Sequence, residues 1–247
     1  MTAEESQQAW PQESFLDTDE ADLSVEEAFF NEKRAQHCLK ALRKNRFKGY
    51  YAPDRSAAIA QVMELIPPGA KVGVGDSVST EQIGFFEALE KRANNEIIYA
   101  MRKEGKNYFP GSMEKFIDIG IKALDTDVFV TGTNAITMDG KLLSTDQVGN
   151  RVAGLIFGPR KVVVVCGINK LVANIEEARE RLRQIAAPLV AVRHRIKHES
   201  KEMPGCSLTG ICNDCHSPER ICCYTVVIEF QAYPRIHVVL VGDSLGA

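Results

Sequence analysis

The sequence predicts an α/β fold: a mostly parallel sheet covered by helices on both faces, with a Cys-rich loop near the C-terminus. Three observations lead there. Apolar runs of strand length recur along the chain with helical stretches between them. The clearest, KVVVVC at 161–166, shows no apolar–polar alternation, as expected of a strand buried on both faces. Five of the seven cysteines fall within residues 206–223. With 247 residues, 45% hydrophobic and 26% charged, the composition is that of a globular protein, which excludes a disordered chain, a collagen and a coiled coil. No apolar run approaches the length of a membrane span.

Residues 1–22 read as an acidic disordered tail, and 23–247 as the α/β domain. Residues 1–32 hold ten acids and no Lys or Arg. With −3 overall and −10 in that segment, the rest of the chain carries +7. A mildly basic domain suits an anionic ligand, but its dispersed basic residues form no nucleic-acid stripe. The N-terminus lacks the basic and apolar regions of a secretory signal, so the expected location is cytoplasmic.

Ser24 and Glu27 have the spacing of a capping box, opening a helix that runs to about Arg46. Gly49 and Pro53 break it. Residues 55–66 read as a helix that Pro67-Pro68-Gly69 stops. Strand 70–74, helix 79–92, strand 96–100, helix 112–124 and strand 127–131 follow. Met138 to Lys141 carry a hairpin signal. AGLIF at 153–157 and KVVVVC at 161–166 read as strands, 174–186 as a helix, 203–223 as the Cys-rich loop, and 224–230 and 236–241 as closing strands. Pro188 and an alternating basic pattern make a solvated loop of the region around His194 and His198, which receive no ligand role.

Three turns carry the candidate chemistry. The first, Gly73 to Thr80, follows a strand and opens a helix, where free amides attract anions. It is neither a dinucleotide fingerprint nor a P-loop, because position 78 is Val and no Gly-Lys-Ser/Thr occurs. The competing reading is a plain strand–helix turn with Ser79 as N-cap. The second is Thr131 to Thr137 with Asp139, Asp146 and Gly149-Asn150-Arg151. Its hydroxyls, amide, carboxylate and guanidinium cluster where an apolar strand gives out. Here the competing reading is a hairpin whose Asn and Asp satisfy their own backbone. The third, Asn169-Lys170 after KVVVVC, offers an anion contact or a Schiff-base amine, or else a solvated lysine.

TGTNAITMDGKLLSTDQVGNRVAGLIFGPRKVVVVCGINK, with VGVGDSVSTEQIG before it and PRIHVVLVGDSLG after it, resembles the signature of the lactate-utilisation (LUD) domain family, which includes lactate-utilisation proteins B and C. The resemblance covers roughly residues 30–246. It implies the three-layer α/β fold of the sugar-phosphate isomerase and CoA-transferase superfamily, with ligands at the strand ends. It implies pocket positions at Gly75, Ser77, Thr80, Gly132, Thr133, Asn134, Asp139, Gly149, Asn150, Arg151, Asn169 and Lys170, to which the motif's own chemistry adds Asp146. Gly75-Asp76-Ser77 stands where many relatives carry Gly-Gly-Ser, and an Asp there repels a phosphate. The Glu-Asn-Gly of CoA-transferases is missing, which speaks against CoA transfer.

Cys206, Cys212, Cys215 and Cys222 offer four thiolates for a metal, either zinc or an iron–sulfur cluster, with Cys223 or His216 as substitutes. Neither standard spacing is met, and free thiols or a disulfide are the competing reading. The family's association with iron–sulfur oxidation systems tilts the choice to a [4Fe–4S] cluster over zinc. Cys38 and Cys166 read as core residues. The resulting expectation is an accessory protein or subunit of an oxidoreductase system for lactate or a related small organic acid, working with iron–sulfur or flavin partner proteins. The alternative is a stand-alone binding protein or isomerase-like enzyme for a phosphorylated sugar or organic acid, with a structural zinc. Whether the chain is itself an enzyme is left open.

Overall fold

The computed structural model describes residues 22–101, 111–198, 202 and 204–247. The acidic tail falls outside them apart from residue 22. The elements are α1 (Ser24–Lys44), β1 (Lys48–Ala52), α2 (Arg55–Leu65), β2 (Lys71–Val74), α3 (Val78–Gln82), α4 (Phe85–Arg92), β3 (Glu96–Tyr99), α5 (Met113–Leu124), β4 (Val128–Gly132), β5 (Ala135–Thr137), β6 (Leu142–Asp146), α6 (Asn150–Ile156), β7 (Lys161–Gly167), β8 (Leu171–Val172), α7 (Ile175–Arg181), α8 (Ala187–His198), α9 (Cys206–Thr209), β9 (Tyr224–Ile228) and β10 (Ile236–Val241). No described helix is long and apolar enough to cross a membrane.

Six strands form a parallel sheet in the order β1-β10-β7-β4-β2-β3. Alternate side chains enter opposite layers, as the two-residue period of a strand dictates. Val162, Val164 and Cys166 pack with Val238, Leu240 and the α1 residues Cys38, Leu39 and Leu42. Val163 and Val165 pack with Val239, Val241 and residues of α2 and α4, among them Ala58, Val62, Phe85 and Leu89. The central strands are thus buried on both faces in a helix–sheet–helix sandwich. Cys38 and Cys166 are core residues, and burial raises their pKa values to about 12 and about 11.

A second sheet, β8-β5-β6-β9, continues from the carboxyl end of β4. β5 and β6 form the expected hairpin, and β9 pairs antiparallel with β6, so that Tyr224 faces Asp146. This pairing brings the Cys-rich segment back beside the end of β6.

Five local readings change. Residues 153–157 lie mostly in α6 rather than a strand. Gly149 turns the chain at φ 89° and the Asp146 carboxylate accepts from the Val152 amide, which starts a helix; a five-residue apolar run has no period to prevent it. Helix 79–92 is two helices, divided at Gly84 (φ 73°). Residues 48–52 form edge strand β1, because Gly49 fits where a side chain would strike Leu39. The Ser24–Glu27 box does not form; Asp22 Oδ1 accepts from the Ser24 amide instead. Residues 187–198 form α8 rather than a loop. A wide π turn over residues 182–186 precedes it and puts Pro188 in its first turn, where proline is tolerated.

Candidate functional site

In sheet order β4 lies between β7 and β2, while the chain passes from β2 out to β3 before returning to β4. Connections therefore leave β2 and β4 in opposite directions. That is the place in an open α/β sheet where a crevice opens beyond the carboxyl ends. A cavity of about 540 Å³ lies there, lined by Ser77 from the turn after β2, by Thr133 and Asn134 from the turn after β4, and by Lys170 from the turn after β7. Asp146, Asn150 and Arg151 line it as well. The three turns meet around one hollow.

Lys170 is the chemically unusual member. It is 4% exposed, and its Nζ donates to Ser79 Oγ at 3.0 Å. Among the described residues it has no carboxylate partner. Burial lowers its pKa to about 8; Cys166 opposes the shift, and the Arg181 and Arg151 guanidiniums add to it.

Arg151 is already engaged on one edge. Its Nε donates to Asp146 Oδ1 at 2.6 Å and its Nη2 to the Thr145 carbonyl at 2.6 Å. Asp146 Oδ2 accepts from the Val152 amide at 2.8 Å. Asp146 is thus committed to orienting Arg151 and starting α6. Asn134 Oδ1 accepts from the Thr145 amide at 2.8 Å.

Most of the other predicted positions serve as supports of the site. A Cβ on Gly75 would stand 2.6 Å from Thr131 Oγ1 and 2.9 Å from Arg151 Cγ. One on Gly132 would run into Ser77 Oγ. These glycines let turns pack against each other rather than exposing amides to an anion. Thr80 Oγ1 donates to the Ser77 carbonyl, and Thr133, although it lines the cavity, spends its hydroxyl on the Leu143 and Ala135 carbonyls and Ser144 Oγ. Asn169 Oδ1 accepts from the Leu245 amide, which fixes the segment after β10. Gly149 serves the turn into α6. Asp139 lies elsewhere: it pairs with Lys141 and accepts from Thr137 Oγ1, while Asn45 at the end of α1 donates to its carbonyl.

Sequence reasoning missed Arg181 and α8. Arg181 is buried and donates to the Asn134 carbonyl at 2.6 Å and the Asn169 carbonyl at 3.2 Å, holding two turns together. Its surroundings in sequence, EEARER, look solvated and give no signal. Arg193, His194 and Lys197 of α8 add basic groups to the cavity wall, Arg193 with an ion pair to Glu81 at 3.3 Å. Their spacing becomes legible once 187–198 is known to be a helix.

The Cys-rich loop also reaches the cavity, through Pro218, Glu219 and Ile221. Cys206 and Ile221 share a small core with Ala191 of α8. Burial raises the Cys206 pKa, and Cys215, Cys212 and Cys222 raise it further, so the four predicted thiols lie near enough to repel as thiolates. That donor set suits a thiolate-bound cation. All seven cysteines are free thiols, and among the described residues no group of three ligating side chains is arranged to hold an ion. Cys223 is turned to the Arg220 carbonyl. Arg220 clamps the loop, donating to the Cys215 and Cys222 carbonyls and to Asp214.

No curated protein matches the chain. Among solved structures, the crystal structure of a DUF162 family protein from Deinococcus radiodurans is 10% identical, with a TM-score of 0.48; the match covers 86% of this chain and 98% of that one. The LUD domain model matches residues 35–241, a span that takes in every strand of both sheets. The chain belongs to the LUD domain family.

Proposed function

We propose that the protein is an accessory protein or subunit of an oxidoreductase system for lactate or a related small organic acid, and that the strand-end cavity holds the acid's carboxylate. One observation carries this reading. Lys170 is a buried cation with a hydroxyl for a neighbour and no described carboxylate to neutralise it. Burying an unpaired charge is costly, and a bound carboxylate would supply the missing partner. Arg151 stands on the same wall with one guanidinium edge already fixed by Asp146, which orients the other. Membership of the LUD domain family supports the link to lactate utilisation.

Cys206, Cys212, Cys215 and Cys222 would hold a [4Fe–4S] cluster or, failing that, zinc. A cluster supplies single-electron transfer. Oxidising a 2-hydroxy acid removes two electrons, so an iron–sulfur or flavin partner protein belongs to the scheme. Calorimetric titration with lactate, pyruvate and inorganic phosphate tests the cavity, and visible spectra with metal analysis of anaerobically prepared protein test the thiols. Binding of the carboxylates that is lost in K170M supports the reading. Brown protein with about four irons per chain supports the cluster. Absence of binding by either acid removes the carboxylate site, and colourless protein with stoichiometric zinc removes the cluster.

A second reading is a stand-alone binding protein or isomerase-like enzyme for a phosphorylated sugar or organic acid, with a structural zinc. The cavity, at about 540 Å³, has the size of sites for larger ligands and so favours it. Asp76, which lines the cavity and accepts from Tyr99 OH at 3.0 Å, works against a phosphate. Stabilisation by sugar phosphates but not by lactate would select this second reading.

A further inference from the structure

We propose that Lys170 is a nucleophile whose amine adds to the carbonyl of a small 2-keto acid in the cavity and forms an imine. The proposal rests on the carboxylate-binding reading, since the acid must be held for its carbonyl to meet the amine. A 2-keto acid is also what oxidation of a 2-hydroxy acid yields.

The surroundings of Nζ suit such a step. The lysine is buried, and Ser79, itself fully buried, aims the amine through a 3.0 Å hydrogen bond. Gly246, at φ 64°, packs its backbone close to the amine: a side chain there would stand 2.8 Å from Nζ and 2.7 Å from Ser79 Oγ. The titratable groups that act on Nζ are Cys166 from β7, Arg181 from α7 and Arg151 from α6. Asp146, the buried carboxylate on the cavity wall, is spent on Arg151 and the Val152 amide. Desolvation first, and then the two guanidiniums, hold the lysine at about 8, so free amine is present near neutral pH. A desolvated lysine beside other cations is a recognised way to make an amine nucleophilic. Arg151 lines the same cavity and would share the carboxylate with Lys170.

The step balances without an oxidant or reductant. The amine lone pair forms a C–N bond to the carbonyl carbon, and the C=O π pair moves to oxygen. A proton passes from nitrogen to that oxygen, giving a carbinolamine. Its C–O bond then breaks; hydroxide departs with the second N–H proton as water, and a C=N bond remains. A 2-hydroxy acid has no carbonyl and would only bind.

The test is reductive trapping. Full-length protein is incubated with pyruvate and sodium cyanoborohydride, and the product is read by intact-protein and peptide mass spectrometry. The expected result is one reduced adduct per chain, on Lys170, with a yield that rises through the pH of about 8 at which the amine deprotonates. Excess lactate suppresses it, K170M abolishes it, and K170R, which keeps the charge but offers no amine, binds pyruvate without trapping it. Calorimetric binding of pyruvate without an adduct, or an adduct that persists in K170M, overturns the imine and leaves the carboxylate site standing. Failure of both acids to bind, with no adduct, overturns both.

Discussion

Lys170 Nζ donates to Ser79 Oγ at 3.0 Å across 91 residues of sequence, joining the turn after β7 to the helix that follows β2. Strand order makes this possible: both strands flank β4, so their carboxyl ends open into one crevice. A buried lysine there has consequences that can be measured.

Lys170 burdens the fold while it is charged. Its native pKa of about 8 is below the ordinary lysine value, so the unfolded chain binds the proton more tightly. Stability therefore rises with pH from about 8 to about 10.5. K170M is expected to stabilise the apo protein at pH 7 by up to about 3 kcal/mol. The gain should vanish in alkaline buffer, as urea titrations at several pH values would show.

His237 gives an acid limit. It is buried on β10, and Tyr50 OH lies 3.1 Å from its Nδ1. Burial, then Lys48 and Lys161, lower its pKa to about 4. The unfolded chain takes up this proton first, so stability is lost as pH falls from about 6.5 towards 4. H237Q should flatten this part of the stability–pH curve, read from melting temperatures across the range.

Removing the Asp146 carboxylate should unsettle Arg151 and α6 together. Asp146 is buried beside the half-buried Arg151, and D146A leaves a guanidinium and an amide without their acceptor. A loss of about 1–3 kcal/mol is expected on denaturant unfolding, with weaker carboxylate binding. D139A, on the distant hairpin, should leave binding unchanged.

Gly132 sets the distance between two site turns. G132A drives a methyl into Ser77 Oγ, and the turn after β2 has to retreat. About 1–3 kcal/mol of stability is at stake, together with affinity for the acid. G111A, where a Cβ meets nothing within 4 Å, is the control for added bulk, its φ of 90° accounting for its own strain.

Burial on both faces is written directly into a strand, so KVVVVC and DVFVT announced the core and the layer order around it. The hairpin at Asp139-Gly140 was legible because its turn residues have intrinsic backbone preferences. Residues 153–157 were not: α6 depends on Asp146, a residue from the preceding strand. Nor was α8, whose path past Pro188 needs a wide turn supported by packing.

The candidate site divides along the same line. Sequence alone determined which residues end the strands, and so supplied Ser77, Asn134, Arg151 and Lys170. Tertiary structure decided what each does. It turned Asp146 and Thr133 into supports and Gly75 and Gly132 into points of close packing. It placed Asp139 elsewhere and brought in Arg181 and α8. Local sequence sets which groups stand at a strand end, but their roles depend on neighbours remote in the chain, and only the folded sheet makes those groups adjacent.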